Sequence, residues 1–271
     1  MVKDGIGRLA VIGAGAMGSA LASGVISAGL FRPEDTIMAD LDKPKLEKLS
    51  AELGVAVTSD NLHAVKDADV VIIAVKPWFV ENVLKEIGEK LNSKQMVISI
   101  AAGVKLESIE AHLADNVAVI RSMPNTPCLI GAGAVGFSRG KAASDRHSAI
   151  AKSIFDAVGI SFEVPEKLLN AVTGLSGSGP AYVYLMIEAM SDAGVRVGLP
   201  RDISLKLASQ TVLGAARMVI EGDEHPAKLR DQVTTPGGTT ITALDVLEKA
   251  GFRSALFEAV KAATKRSEEL G

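Results

Sequence analysis

Two glycine-bearing stretches, one near each end of the chain, have the residue types and spacing to hold an anion against bare backbone. Near the start, "RLAVIGAGAMGSALASG" carries G-x-G-x-x-G at Gly13, Gly15 and Gly18. The three glycines do different physical work, since Gly13 permits a tight turn, Gly15 lets backbone approach a pyrophosphate, and Gly18 lets a helix pack closely on a strand. Near the end, "DQVTTPGGTTITAL", Asp231 to Leu244, places a proline and two glycines before Thr239, Thr240 and Thr242 and an apolar helical pattern. Helix N-termini attract anions through unpaired N–H groups and the helix dipole. The rival reading of this second loop is an ordinary N-cap on Thr235 or Thr239. Capping accounts for one threonine and leaves the paired glycines unexplained.

These stretches need elements to position them. Leu9 to Ile12 reads as a short strand and Met17 to Ala28 as the helix after the turn; "DTIMAD" is a second strand that ends on Asp40. A carboxylate about twenty residues past the glycine turn is placed to receive a ribose hydroxyl, so a dinucleotide is the ligand this region predicts. Its charge favours a free 2′-hydroxyl, hence NADH; Lys43 and Lys45 could compensate a 2′-phosphate. The alternation continues through "VAVT", "ADVVIIAVKP", "VENVLKEIGEKL", "QMVISIAAG" and "VAVIRSMPNTP", then "GAVGFS" and "ISFEV". Strands alternating with helices predict an α/β fold with a parallel, doubly wound sheet. Ligands lie beyond the carboxyl ends of such strands, which puts Lys76-Pro77, Ala101-Ala102-Gly103 and Met123 to Pro127 along the crevice. After Pro165 only helical periods follow, so a boundary is expected there: residues 1–165 as a dinucleotide-binding domain and 166–271 as an all-α domain. "AYVYLMIEAM" and "ASQTVLGAARMVI" are apolar on more than one face, which predicts a helical interface between two copies of the chain.

Composition narrows the classes. The 271 residues are 48 % hydrophobic, 4 % aromatic and carry a net charge of -3, so no basic surface or stacking platform for nucleic acid is expected. Leu9 to Phe31 lacks charge and imitates a targeting or membrane segment, yet its glycines sit where a strand must turn into a helix. Cys128 is the only cysteine and none of the four histidines sits in an H-E-x-x-H pattern; no metal site is expected, and a reducing cytoplasm suits the chain. Cys128 reads as a packing residue, and His63, His112 and His147 as surface residues. No G-x-S-x-G elbow occurs; "GLSGSGPAY" around Ser176 and Ser178 lacks the required strand. Hydride transfer to a carbonyl normally calls for a general acid, whereas a protonated C=N bond needs mainly orientation.

"GAGAMG", "AVKP" at 74 to 77, "RSMPNTP" at 121 to 127, "GLSGSGPAY" at 174 to 182 and "DQVTTPGGTTITAL" resemble, in order and over nearly the whole chain, the motifs of pyrroline-5-carboxylate reductase. The resemblance implies reduction of 1-pyrroline-5-carboxylate to L-proline, the last step of proline biosynthesis, with NADPH or NADH. It implies a Rossmann-type domain followed by an all-α dimerisation domain, assembled as a homodimer or a higher oligomer of dimers, with no nucleic-acid or membrane partner. By motif, Ile12, Gly13, Ala14, Gly15, Ala16 and Met17 would cradle the pyrophosphate. Asn61, Ala74, Val75, Lys76 and Pro77 would flank the dinucleotide, and Ile100, Ala101 and Ala102 would lie near the nicotinamide. Amides of Gly238, Thr239 and Thr240 would bind the substrate carboxylate, the Thr240 hydroxyl would face the ring nitrogen, and Asp223 would stand near the substrate. Thr235 replaces a commoner serine, and Asp40-Leu41 offers no arginine for a 2′-phosphate. Two other readings remain open: a β-hydroxyacid-type dehydrogenase, for which Lys206 is a candidate, and a dinucleotide sensor without turnover.

Overall fold

The computed structural model describes residues 6–270. Its first half is an eight-stranded sheet in the order β3-β2-β1-β4-β5-β6-β7-β8. The strands are β1 (Leu9–Ile12), β2 (Thr36–Ala39), β3 (Ala56–Thr58), β4 (Val70–Ile73), β5 (Met96–Ser99), β6 (Ala118–Met123), β7 (Gly133–Arg139) and β8 (Gly159–Glu163). Every residue of β1, β4 and β5 is buried, which is why these strands read as unbroken apolar runs: helices cover both faces. Alternate side chains feed two cores. Leu9, Val11, Val70 and Ile72 pack with α1 (Ala16–Ser27), α2 (Lys43–Leu53) and α6 (Asp145–Asp156). Ala10, Ile12, Val71 and Ile73 pack with α3 (Asn61–Val65), α4 (Pro77–Ile87) and α5 (Leu106–Glu110).

One pairing departs from the expected parallel sheet: β7 runs antiparallel to β6, with Met123 opposite Gly136. The connection is a 3₁₀ turn over Thr126–Ile130 ended by left-handed Gly131, too short for the helical crossover a parallel return needs. β8 then pairs parallel to β7.

The described residues divide into two compact units, 6–178 with 262–270, and 179–261. β8 ends two residues before Pro165, and the first unit continues through α7 (Leu169–Val172) and a π-helical turn, Thr173–Gly177. The second unit contains α8 (Gly179–Arg196), α9 (Arg201–Glu221), α10 (Pro226–Gln232), α11 (Thr239–Lys249) and the first part of α12 (Phe252–Leu270). α8 and α9 form a hairpin tight enough for the Ser204 hydroxyl to donate to Ser191 O at 2.7 Å. A Cβ on Gly194 would meet Ser204 Oγ at 2.0 Å. Among the described residues of this unit Ala208 is the only buried apolar side chain, while Tyr184, Leu185, Ile220 and Phe257 are each more than 60 % exposed. Helices this apolar and this open lack a core of their own. No helix among the described residues is long and apolar enough to cross a membrane.

Candidate active site

The glycine turn sits where β1, between β2 and β4, hands over to α1. Gly13 N–H donates to Ala39 O at 2.7 Å, and Ala74 N–H donates to Ile12 O at 2.7 Å, so both neighbouring strands clamp the turn. Gly13 has φ +104°, and a Cβ there would meet Ala74 O at 2.6 Å; on Gly18 it would meet Gly13 O at 2.1 Å. Gly15 is different: nothing lies within 4 Å of its would-be Cβ. It is the N-cap of α1, extended, with no side-chain cap. The N–H groups of Ala16, Met17 and Gly18 therefore have no acceptor in the helix, and Ser19 N–H is the first to find one, Gly15 O at 2.9 Å. Asp40 stands beside this turn: its Oδ2 accepts from Ala14 N–H at 2.7 Å and its Oδ1 from Asp42 N–H at 3.0 Å. Each oxygen retains a lone pair for a ribose hydroxyl. An open glycine, unpaired helix-start amides and an adjacent carboxylate fit a dinucleotide.

Further along the crevice, Lys76 is the extended N-cap of α4 with Pro77 at the first helical position. Lys76 is exposed, and Ala74 and Val75 are half-buried. Ile100 N–H is held by Ile73 O at 3.1 Å, Ala101 is buried, and Ala102 is exposed just after β5. Asn61 begins α3 and donates Nδ2 to Glu86 Oε2 at 2.8 Å, leaving its carbonyl oxygen available. Asn125, within the Met123 to Pro127 segment, is a brace whose role the sequence does not single out. Its Nδ2 donates to Ser176 O at 2.9 Å and its Oδ1 accepts Ala134 N–H at 2.9 Å. It thereby ties the π turn carrying Ser176 to the exit of β6, and π turns recur at functional sites. Cys128 packs behind Asn125; burial pushes its thiol pKa up, away from reactivity. Arg121, buried on β6, pairs with Glu166 at 2.8 Å, and the same oxygen accepts Leu106 N–H at 2.7 Å. Removing Glu166 would strand the buried Arg121 charge.

In the helical unit, α11 begins at Thr239 with Gly238 as an extended N-cap and no side-chain cap. Neither Thr235 nor Thr239 acts as the cap. Gly237 takes φ +67°, and a Cβ on Gly238 would meet Thr235 Oγ1 at 2.2 Å. The Gly238 amide, expected among the carboxylate donors, is instead spent on Thr235 O at 3.0 Å. The amides left without an acceptor are those of Thr239, Thr240 and Ile241, since Thr242 N–H reaches Gly238 O at 3.4 Å. Thr242 Oγ1 also donates to Gly238 O at 3.1 Å, whereas the half-buried Thr240 hydroxyl has no partner among the described residues. Asp223 lies exposed in the α9–α10 connection and makes no hydrogen bond or ion pair among the described residues. His225 braces the start of α10 in this unit, as His147 does in the α6 capping box of the sheet unit. No cluster of three or more His, Cys, Asp or Glu that could hold a metal occurs among the described residues.

The chain is 46 % identical over 264 residues to pyrroline-5-carboxylate reductase of Methanosarcina acetivorans, covering 97 % of this chain and 98 % of that protein. The Synechocystis enzyme of the same name is 48 % identical over the same coverage. This chain belongs to the pyrroline-5-carboxylate reductase family. Residues 166–270 match the family model described as pyrroline-5-carboxylate reductase dimerisation, and 8–103 match the model described as NADP oxidoreductase coenzyme F420-dependent. Among solved structures, a pyrroline-5-carboxylate reductase from Coxiella burnetii superposes with TM-score 0.94 at 36 % identity, covering 98 % of this chain and 99 % of that one. The Plasmodium falciparum pyrroline carboxylate reductase with NADP bound gives 0.86 at 34 % identity, covering 97 % and 98 %. The family makes the chain an NAD(P)H-dependent oxidoreductase on a Rossmann-type domain followed by a helical dimerisation region.

Proposed function

We infer that this protein reduces 1-pyrroline-5-carboxylate to L-proline, the closing step of proline biosynthesis. When bound, the reduced nicotinamide supplies the hydride that the imine carbon accepts. The chain's own residues bind and orient. The carboxylate of the cyclic imine sits on the uncommitted Thr239 and Thr240 amides at the start of α11. Gly238 acts by making room rather than by donating. Thr240 Oγ1 accepts from the protonated ring nitrogen, holding the C=N bond at one orientation; Asp223 stands nearby on the α9–α10 connection. With the proton already on nitrogen, the protein need supply no general acid, in keeping with His147 and His225 being engaged at helix starts. Ile12 to Met17 hold the pyrophosphate, Asp40 the adenosine ribose, Asn61 and Ala74 to Pro77 the flank, and Ile100 to Ala102 the nicotinamide end.

Residues 166–271 serve as the substrate and dimerisation domain after a sheet domain of residues 1–165. The exposed apolar faces of α8, α9 and α12 are covered by a second copy in a homodimer, which can build larger rings of dimers. The cytoplasm is its compartment.

The observation that carries the reaction is the uncapped start of α11 beside an unpartnered Thr240 hydroxyl. Following loss of reduced-nicotinamide absorbance with pyrroline-5-carboxylate, NADPH and NADH side by side, tests it. Thr240→Ala is expected to lower kcat at least about tenfold with unchanged helicity. Turnover equal to that of the unaltered protein would remove Thr240 from the reaction. Absence of turnover with either cofactor, in a protein that still binds dinucleotide, would overturn the reductase reading.

A further inference from the structure

The antiparallel β7 has a geometric consequence at the ligand side of the sheet. Because Gly136 lies opposite Met123 at the exit of β6, the entry of β7 at Gly133 and Ala134 falls on the rim where the parallel strands end. That rim is where ligands of such sheets lie. β6 is the neighbour of β5, so its exit adjoins Ile100 to Ala102, the end proposed for the nicotinamide.

A third segment reaches the same rim, the π turn Thr173–Gly177. Asn125, only 7 % exposed, joins all three. It belongs to the exit of β6, its Oδ1 accepts from Ala134 N–H at the entry of β7, and its Nδ2 donates to Ser176 O in the π turn, both at 2.9 Å. The segments press closely: a Cβ on Gly177 would lie 3.0 Å from Met123 Cε, and one on Gly136 would lie 2.8 Å from both methyls of Val172 in α7. The turn has its own fastenings on the other side. The Thr173 and Ser176 hydroxyls donate to Leu169 O and Val172 O, and Ser178 N–H closes the turn by reaching five residues back to Thr173 O at 2.8 Å. These bonds hold the turn to α7 and to itself. The Asn125 amide ties it to the rim, and its placement follows from that bond.

We propose that Asn125 is a positioning residue for hydride transfer: its amide fixes the π turn against the nicotinamide end of the crevice, so that cofactor and imine meet at one distance and angle. Asn125 touches neither reactant and acts through the Ser176 carbonyl. Slack in the turn opens room in which the reacting rings shift, and the transfer slows while both ligands still bind. This rests on the reductase reading, and the test separates the two.

The test uses the full-length protein in single turnover, with protein in excess over reduced cofactor and pyrroline-5-carboxylate saturating, beside titrations of dinucleotide Kd. Asn125→Ala is expected to lower the single-turnover rate constant at least about tenfold, less than a 1 Å misplacement costs. The KM for pyrroline-5-carboxylate and the dinucleotide Kd should stay within about twofold. Asn125→Asp has the same size, keeps an acceptor for Ala134 N–H and loses the donor to Ser176 O. It should show a comparable loss, and it answers the question if the alanine variant does not fold. Deuterium at the transferred position of the cofactor should slow the observed step in both, identifying it as hydride transfer. A purely structural brace would reduce the amplitude, through fewer folded molecules, and leave the rate constant unchanged. That result, or a loss confined to KM or Kd, would overturn the positioning role. Absence of turnover in the unaltered protein would instead remove the reductase reading, and the positioning role with it.

Discussion

Two helices of this chain begin alike, and the contrast between their surroundings is instructive. α1 and α11 both have an extended glycine N-cap, Gly15 at φ −71° and ψ 176°, Gly238 at φ −80° and ψ 176°, and neither has a side-chain cap. A left-handed glycine precedes each, Gly13 at φ +104° and Gly237 at φ +67°. The difference lies in which glycine is hemmed in. In the first turn Gly13 and Gly18 press on backbone in a packed sheet, and Gly15, the N-cap, is open. In the second, the N-cap Gly238 is closed by the Thr235 hydroxyl of its own loop, and Gly237 is open. The sheet core shapes the first turn and leaves its N-cap glycine open. The second loop shapes itself, on a unit with little buried apolar surface.

The largest effect should therefore come from Gly238→Ala. The added methyl meets Thr235 Oγ1 at 2.2 Å and Thr235 O at 3.2 Å, so the hydroxyl must turn away and the loop that aims the Thr239 and Thr240 amides must give by a few tenths of an ångström or more. A misplacement on the order of 1 Å lowers kcat/KM by about a hundredfold. Combining it with Thr235→Ala removes the colliding hydroxyl, and the pair should recover part of the loss; strict additivity in the double-mutant cycle would show that the two residues do not meet in solution. Gly15→Ala should act differently. With nothing within 4 Å of the new Cβ, Tm should hold, while the methyl enters the space a pyrophosphate needs and raises the NAD(P)H Kd about tenfold. A fallen Tm with unaltered Kd would make the two glycine turns alike after all.

The legibility of the two turns in the sequence differs for the same reason. G-x-G-x-x-G is a pattern of backbone demands, and the elements around it are apolar runs buried on both faces, so β1, β2, β4, β5 and β6 could be read from composition and period. β7 was legible as a strand but not in direction, because direction depends on the length of the Thr126–Ile130 connection rather than on the strand's residues. The paired glycines of the second loop invited the idea that both offer amides. Only the folded loop reveals that Gly238 is small because of Thr235 and that its amide is already taken. Asn125 bonding to Ser176 and Glu86 reaching Asn61 join residues far apart in the chain, and no local period encodes them.

The smallest effect concerns Asp40, where the two functions of one carboxylate have to be separated. Its oxygens support the cofactor turn through Ala14 N–H and Asp42 N–H, and its charge opposes a 2′-phosphate. Nearby, Lys45 is paired with Asp42 at 3.2 Å, whereas Lys43, exposed at the first position of α2, has no ion-pair partner among the described residues. Asp40→Asn keeps a carbonyl oxygen for Ala14 N–H and removes the charge that opposes a 2′-phosphate. Removing one exposed like charge near 4 Å is worth about 1 kcal/mol, and kcat/KM for NADPH relative to NADH should rise about fivefold. Asp40→Ser, too short to hold the turn, should weaken both cofactors while shifting the same ratio. A ratio that stays put in Asp40→Asn would leave Asp40 as a brace of the turn alone, and would move the choice of cofactor to the lysines of α2.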